Sequence, residues 1–288
     1  MQSILDSQEL YNSFEIAVNA ALNAGEEVIK IYAQDFHEEI KDDGTPITIA
    51  DKKANSCILD NLKKTKLPVV SEESRIADYN ERKNWDYYWL IDPIDGTKEF
   101  INKNGEFTIN IALMKKDSPI AGIIFVPAIN QLYFGVDNAG SYSIEIDNKN
   151  ISYLSLQKLL STSKKLTTPE SPTNIYNIAV SRSHLNNRTK SFIEKIKTKS
   201  TQINLIETGS SLKFCRLCEG ICNIYPRYGK TFEWDIAAGH AILAANGGEL
   251  YDVNTLKPLK YNKTEMLNPY FMAFSNKETA EYFFNEFL

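Results

Sequence analysis

The stretch Trp89-Leu90-Ile91-Asp92-Pro93-Ile94-Asp95-Gly96-Thr97 sets two carboxylates three residues apart beside a Gly-Thr pair, directly after an apolar run that reads as a buried strand. A strand end that presents Asp92 and, one tight turn later, Asp95 points two hard oxygen ligands at a common point, a donor set suited to Mg²⁺ rather than to a soft-ligand metal. Pro93 stiffens the turn between them. Gly96 lets a ligand approach the backbone, and the N–H groups of Gly96 and Thr97 together with the Thr97 hydroxyl offer donors to a phosphate oxygen. Taken alone, Asp92-Pro93 and Asp95-Gly96 are equally ordinary turn dipeptides.

Other acidic residues share this placement at element ends. Glu72 and Glu73 follow the apolar run "LPVV", Asp235 follows Trp234 where an apolar helix begins, and Asp51 stands at the start of another helix. Each has a structural reading of its own: a solvated loop for Glu72 and Glu73, a dipole-favoured helix start for Asp235, and a capping box with Thr48 for Asp51. Acidic positions at element ends, spread over 184 residues from Asp51 to Asp235, fit one site assembled from several elements.

The elements that must position these groups are legible in outline. Leu10, Phe14, Ala17, Ala21, Ala24, Val28 and Ile31 alternate spacings of four and three, which predicts a helix over about 8–33. A second helix starts near Asp51 with Ala54, Ile58 and Leu62 inward. Residues 107–144 run apolar or alternating with turn signals at "KKDSP", "PAIN" and "DNAG", which predicts an antiparallel meander. From about 160 strand and helix alternate, with helices near 186–198, 210–219 and 234–246, the last stopped by Asn246-Gly247-Gly248. An α+β half, 1–160, therefore precedes an α/β half, 161–288, with the boundary in the Ser/Thr/Pro/Lys-rich "STSKKLTTPESPTN".

At 288 residues with 43% hydrophobic and 24% charged residues, the chain is long enough to bury a sizeable core and is not of disordered composition. Its net charge of -5 gives no general attraction for nucleic acid or anionic lipid, so an anionic substrate has to be handled locally, by a metal or a few placed cations. The start "MQSILDSQELYNSFE" has neither a basic n-region nor an apolar h-region and no apolar run reaches eighteen residues, which predicts a cytoplasmic protein without an integral membrane span. Cys57, Cys215, Cys218 and Cys222 are too few for a disulfide scaffold. The spacings within Cys215, Cys218 and Cys222 suit a buried helical face better than zinc, for which no matched fourth ligand stands nearby: His240 falls inside the last of the helices just described.

"SEES", "DPIDGT" followed by Phe100, and "WDIAAG" resemble, in order and spacing, the signatures of the lithium-sensitive, Mg²⁺-dependent phosphatases of the inositol monophosphatase superfamily, from "GTPITIAD" to "NGGEL". Within it, "TGSSLKFCRLCEG", "IYPRYG", "EWDIAAGHAIL" and "VSRSH" most resemble the CysQ-type 3′(2′),5′-bisphosphate nucleotidases. The resemblance implies a layered αβαβα sugar-phosphatase fold with two closely packed halves and the active site at their junction. It implies that Glu72, Asp92, Asp95 and Asp235, with the Ile94 carbonyl, bind two or three Mg²⁺ ions, while Asp51 and Thr97 position and activate the attacking water. Gly96, Ser181, His184, Ser210, Ser211, Lys213 and Arg227 would complete the substrate site, Lys213 and Arg227 taking a second phosphate and His184 stacking on adenine. By residue type alone, a lone Lys or Arg is a solvated charge and a lone His a structural residue.

The implied reaction removes the 3′-phosphate of adenosine 3′,5′-bisphosphate, and of 3′-phosphoadenylyl sulfate, in sulfate assimilation. A phosphatase for inositol monophosphate or another small sugar phosphate, and a nucleotide-binding protein without turnover, remain as alternatives. The expected partner is a phosphorylated nucleotide, and the expected state a monomer or weak homodimer. Some relatives of this type are peripheral at the inner membrane face, which nothing in the composition supports.

Overall fold

A computed structural model of the chain describes residues 3–34, 38–40, 46–147, 153–170, 175–182, 186–198 and 202–287. Helix α1 (Gln8–Tyr32) begins at Ser7, whose hydroxyl accepts the Leu10 N–H, and buries the face drawn by the four-three spacing. Strands β1 (Glu38–Ile40) and β2 (Pro46–Thr48) pair antiparallel, and α2 (Ile49–Leu62) follows from the Thr48–Asp51 capping box.

The larger sheet has seven strands in sequence order: β3 (Val69–Ser71), β4 (Tyr87–Asp95), β5 (Thr108–Lys115), β6 (Ser118–Val126), β7 (Gln131–Val136), β8 (Gly140–Glu145) and β9 (Lys164–Lys165). Strands β3 and β4 are parallel, and every later pair is antiparallel, so the expected meander is present. Short helices α3 (Tyr79–Arg82) and α4 (Thr97–Ile101) flank β4, and α5 (Leu156–Thr162) leads into β9. The Ser/Thr/Pro/Lys-rich stretch is thus not purely a connection: Lys164 and Lys165 pair with Ser143 and Tyr142 on the sheet edge, and the Lys165 ammonium lies over the Tyr142 ring. Its polar composition reflects an edge position, where lysine is well tolerated.

The second sheet holds β10 (Ile175–Ser181), β11 (Gln202–Thr208), β12 (Ile224–Arg227), β13 (Glu249–Asp252) and β14 (Phe271–Phe274) in the order β11-β10-β12-β14-β13. Helix α6 (Asn187–Lys197) joins β10 to β11, α7 (Leu212–Cys218) joins β11 to β12, and α8 (Glu233–Ala245) precedes β13. The pairs of β10 with β11 and β12 are parallel, as a strand and helix alternation requires, but β14 runs antiparallel to both of its neighbours. This sheet is therefore mixed rather than a pure parallel α/β unit, and α9 (Lys277–Phe287) closes the chain.

Three apolar clusters define the layers. Trp89 and Ile91 of β4 face Ala17, Ala21 and Ile58 of α1 and α2. Tyr88 and Leu90, which point the other way from the same strand, share a cluster with Phe214 of α7, Ile242 of α8 and Phe271 of β14. Ile178 and Phe274 on the far face of the second sheet pack with Phe192 of α6 and Phe283 of α9. The order is helices, seven-stranded sheet, α7 and α8, five-stranded sheet, helices, the expected αβαβα arrangement. Helix α8 lies so close on the larger sheet that a Cβ on Gly122 of β6 would fall 2.2 Å from the Ala238 carbonyl oxygen.

Candidate active site

Asp92 and Asp95 both belong to β4 rather than to a turn beyond it. In a regular strand residues three apart point to opposite faces. Asp92 pairs with Asn110 and Asp95 with Thr108, so three steps on β4 match two on β5, and the extra residue is a bulge at Pro93-Ile94. The bulge returns the two carboxylates to one face, that of Thr108 and Asn110, whose side chains bond to each other at 3.0 Å. Proline is tolerated there because a bulge relaxes the ladder.

The carboxylates of Glu72, Asp92 and Asp235 come together, each with an oxygen within 4.8 Å of the others. Glu72 stands just past β3 and is pinned to β4 by its N–H to the Ile91 carbonyl, 3.3 Å. Asp92 Oδ1 accepts the Ile94 N–H at 3.1 Å. Asp235, in the first turn of α8, accepts the Phe232 N–H on Oδ2 at 2.9 Å, which fixes its rotamer. Burial, then the neighbouring charges of Glu72, Asp95 and Asp235, push the Asp92 carboxyl well above the ordinary range. Burial and the charges of Asp95 and Glu72 do the same to Asp235. Crowded oxygen donors whose repulsion a divalent ion would relieve are the donor set of a hard cation, so the residues present fit one.

Asp95 lines the same cavity, with its Oδ2 taking the Ser210 and Ser211 hydroxyls at 3.0 and 2.7 Å. Ser211 Oγ also lies 2.7 Å from the Asp235 carbonyl oxygen and receives Asn110 Nδ2 at 2.9 Å, so one hydroxyl ties β4, β5 and α8 together. Ser210 adopts a left-handed backbone, φ +50°, held by its hydroxyl to Thr108 at 2.6 Å. Gly96, at φ +90°, needs to be glycine: a Cβ there would stand 3.1 Å from that of Ser210.

Asp51 keeps its capping box and also faces Thr97. Its Oδ2 takes the Thr48 N–H and hydroxyl, both at 2.7 Å, while its Oδ1 faces the Thr97 hydroxyl at 3.3 Å. Burial raises the Asp51 carboxyl, against the two Thr48 hydrogen bonds that lower it. Thr97 Oγ1 also lies 3.5 Å from the Ile94 carbonyl.

A cavity of about 600 Å³ opens over this cluster, in the range of small-molecule sites. Ser181, Lys213 and Arg227 line it with the acidic residues. Lys213 is only 4% exposed and donates to the Thr208 and Ser210 carbonyls at 3.2 and 2.5 Å. Burial first, and Arg227 second, pull its ammonium down to about 8. Arg227 Nε is buried without a partner, while Nη2 reaches the Lys230 carbonyl at 3.3 Å. His184 lies outside the described residues. Lys98, Asn186, Tyr225, Lys230 and Phe232 also line the cavity and are absent from the sequence reading. Lys98 directly follows the Asp92–Thr97 stretch, and Lys230 and Phe232 lie between Arg227 and Asp235, so proximity to residues already singled out was the available signal.

Cys215, Cys218 and Cys222 are free, buried thiols within the middle apolar cluster, packed with Leu217 and Phe214. Burial pushes all three up, Cys222 to about 12. His240 is engaged by Tyr261 at 2.8 Å and Glu249 at 2.7 Å. Among the described residues, no helix is long and apolar enough to cross a membrane.

A layered αβαβα fold whose middle helices and bulged strand converge carboxylates on one cavity is the architecture of a metal-dependent phosphomonoesterase, and residues 9–283 match the inositol monophosphatase family, to which the chain belongs. It is 39% identical over 235 residues to the 3′(2′),5′-bisphosphate nucleotidase CysQ of Buchnera aphidicola, covering 80% of each chain. It is 36% identical over 256 residues to CysQ of Escherichia coli, covering 87% of this chain and 95% of that one. Among solved structures, CysQ from Bacteroides thetaiotaomicron superposes with a TM-score of 0.80 at 41% identity, over 91% of this chain and 96% of the other. An inositol monophosphate-bound SaIMPase-II gives a TM-score of 0.72 at 20% identity over 96% and 93%, a likeness of fold.

Proposed function

We propose that the chain is a Mg²⁺-dependent 3′(2′),5′-bisphosphate nucleotidase that hydrolyses the 3′-phosphate of adenosine 3′,5′-bisphosphate to AMP and phosphate, acting also on 3′-phosphoadenylyl sulfate in sulfate metabolism. The observation that carries it is the convergence of Glu72, Asp92 and Asp235 on a cavity that the cations Lys213 and Arg227 also line. The likeness to CysQ nucleotidases over most of the chain supports the substrate.

In this reading Glu72, Asp92, Asp95, Asp235 and the Ile94 carbonyl hold Mg²⁺, which when bound neutralises phosphate charge and stabilises the leaving oxygen. The Thr97 hydroxyl, backed by Asp51 Oδ1 at 3.3 Å, orients the attacking water and takes up its proton, and the raised Asp51 carboxyl is the stronger base for it. Water oxygen bonds to phosphorus as its proton passes to Thr97 and the Thr97 proton to Asp51, the bond to O3′ breaks, and O3′ takes a proton from a solvent water. The Gly96 and Thr97 N–H groups cup the reacting phosphate, Ser181 lines the nucleoside side, and Lys213, Arg227, Ser210 and Ser211 frame the 5′-phosphate.

The test is phosphate release from adenosine 3′,5′-bisphosphate and inositol 1-phosphate side by side, with Mg²⁺ and then with chelator. A preference for the bisphosphate that vanishes with chelator is expected. A preference for inositol 1-phosphate would keep the metal site and discard the nucleotide; nucleotide binding without release under any divalent metal would discard turnover.

A further inference from the structure

Two buried charged residues outside the cavity, Glu233 and Arg82, form a polar knot around the segment 262–264. Glu233 opens α8 two residues before Asp235 and is 0% exposed. Its carboxylate accepts the Asn262 N–H at 2.7 Å, the Lys263 N–H at 3.1 Å and the Lys263 ammonium. Arg82, 2% exposed, closes α3, ten residues after Glu72. It donates to Ala77 O at 3.1 Å, Asn262 Oδ1 at 2.7 Å, Lys263 O at 2.8 Å and Thr264 O at 3.1 Å, and its own carbonyl accepts Asn262 Nδ2 at 2.9 Å.

The same segment continues along the start of α8. The Glu233 N–H reaches Met266 O at 2.9 Å, the Asn268 N–H reaches Thr231 O at 2.8 Å, and Asn268 Nδ2 reaches Phe232 O at 2.6 Å. Phe232 is the residue whose N–H fixes Asp235 Oδ2. A continuous set of hydrogen bonds therefore runs from the connection that carries Glu72, through Arg82, Asn262 and Glu233, to the helix start that carries Asp235.

We propose that Arg82 and Glu233 are positioning residues for the metal cluster, setting the α8 start relative to the β3–β4 connection so that Asp235 and Glu72 meet at Asp92; this rests on the metal-site reading above. A metal site tolerates only about 0.5 Å of error in its ligands and relies on outer partners to hold them. A guanidinium and a buried carboxylate that direct most of their hydrogen bonds to residues 262–264 supply that stiffness, where an apolar contact would allow sliding. Neither residue touches the cavity, so their effect is on ligand placement and not on chemistry.

The test is Mn²⁺ affinity of the full chain, by electron paramagnetic resonance at low temperature, with circular dichroism to establish that each variant is folded. Arg82→Lys keeps the charge but loses the fork, and Lys263→Gln, at a half-buried side chain, weakens the Glu233 anchor while keeping its two backbone N–H bonds. Leu243→Ala, in the buried C-terminal part of α8, removes core packing about two turns from Asp235 and serves as the control. Arg82→Lys and Lys263→Gln are expected to weaken Mn²⁺ binding about tenfold, and Leu243→Ala to leave it within about twofold. Wild-type affinity in both knot variants, or an equal loss in Leu243→Ala, overturns the positioning role. Absence of Mn²⁺ binding by the wild-type chain would sink the metal-site reading itself and this inference with it, a failure distinguishable because it needs no variant.

Discussion

Raising the pH from about 7 to about 9 is expected to weaken the hold on a bisphosphate roughly tenfold while leaving a monophosphate nearly untouched. The cause is Lys213, whose ammonium burial and Arg227 pull down to about 8, against the opposing charges of Asp95, Glu99 and Glu106. At pH 7 roughly nine in ten molecules carry the charge and at pH 9 roughly one in ten, so if only the ammonium takes the 5′-phosphate, apparent affinity follows that fraction. The assay is KM and kcat for adenosine 3′,5′-bisphosphate and adenosine 3′-monophosphate across this window at saturating Mg²⁺. Lys213→Arg, whose guanidinium stays charged, should flatten the rise in KM. The same group has a linked effect on folding. Its folded value lies below the unfolded value of about 10.4, so burying the charge costs stability on the order of 3 kcal/mol below pH 8, and the cost is recovered as pH climbs from 8 toward 10.4. A KM for bisphosphate that stays flat to pH 9, or that rises equally for the monophosphate, would refute the assignment of Lys213 to the second phosphate.

Further outcomes follow from the same geometry. Asp92→Asn should abolish turnover yet raise Tm in chelator by a few degrees, since it removes a buried charge facing Glu72, Asp95 and Asp235, and the Tm gain on adding Mg²⁺ should shrink; thermal melts with and without Mg²⁺ check both. Gly122→Ala should destabilise by about 1–3 kcal/mol in urea titration, because its Cβ would meet the Ala238 carbonyl at 2.2 Å and push α8 off the sheet; a neutral result would mean the layers have slack. Iodoacetamide on the native protein should label Cys57 alone, since burial holds the other three thiols protonated and inaccessible, whereas labelling of Cys218 before unfolding, read by mass spectrometry, would contradict the packing.

What the sequence determines by itself is what short-range chemistry encodes. The α1 face follows from the spacing of Leu10 through Ile31, the α2 start from Thr48 and Asp51, and the meander from turn residues between β-prone runs, since each depends on residues a few positions apart. The identities of the acidic residues, and their resemblance to a family pattern, are also sequence properties. What the tertiary structure decides is how they meet. The bulge in β4 is defined only against β5, because a pairing offset exists between two strands and not within one. The edge pairing of Lys164 and Lys165 and the antiparallel β14 likewise depend on partners distant in the chain. The segment 262–268, without a pattern of its own, meets the α8 start through bonds to Arg82, Glu233, Thr231 and Phe232, all distant from it in the chain. The Lys213 ammonium owes its low value to the low-polarity interior and to Arg227 beside it, fourteen residues along the chain, and neither exists until the second sheet closes over α7.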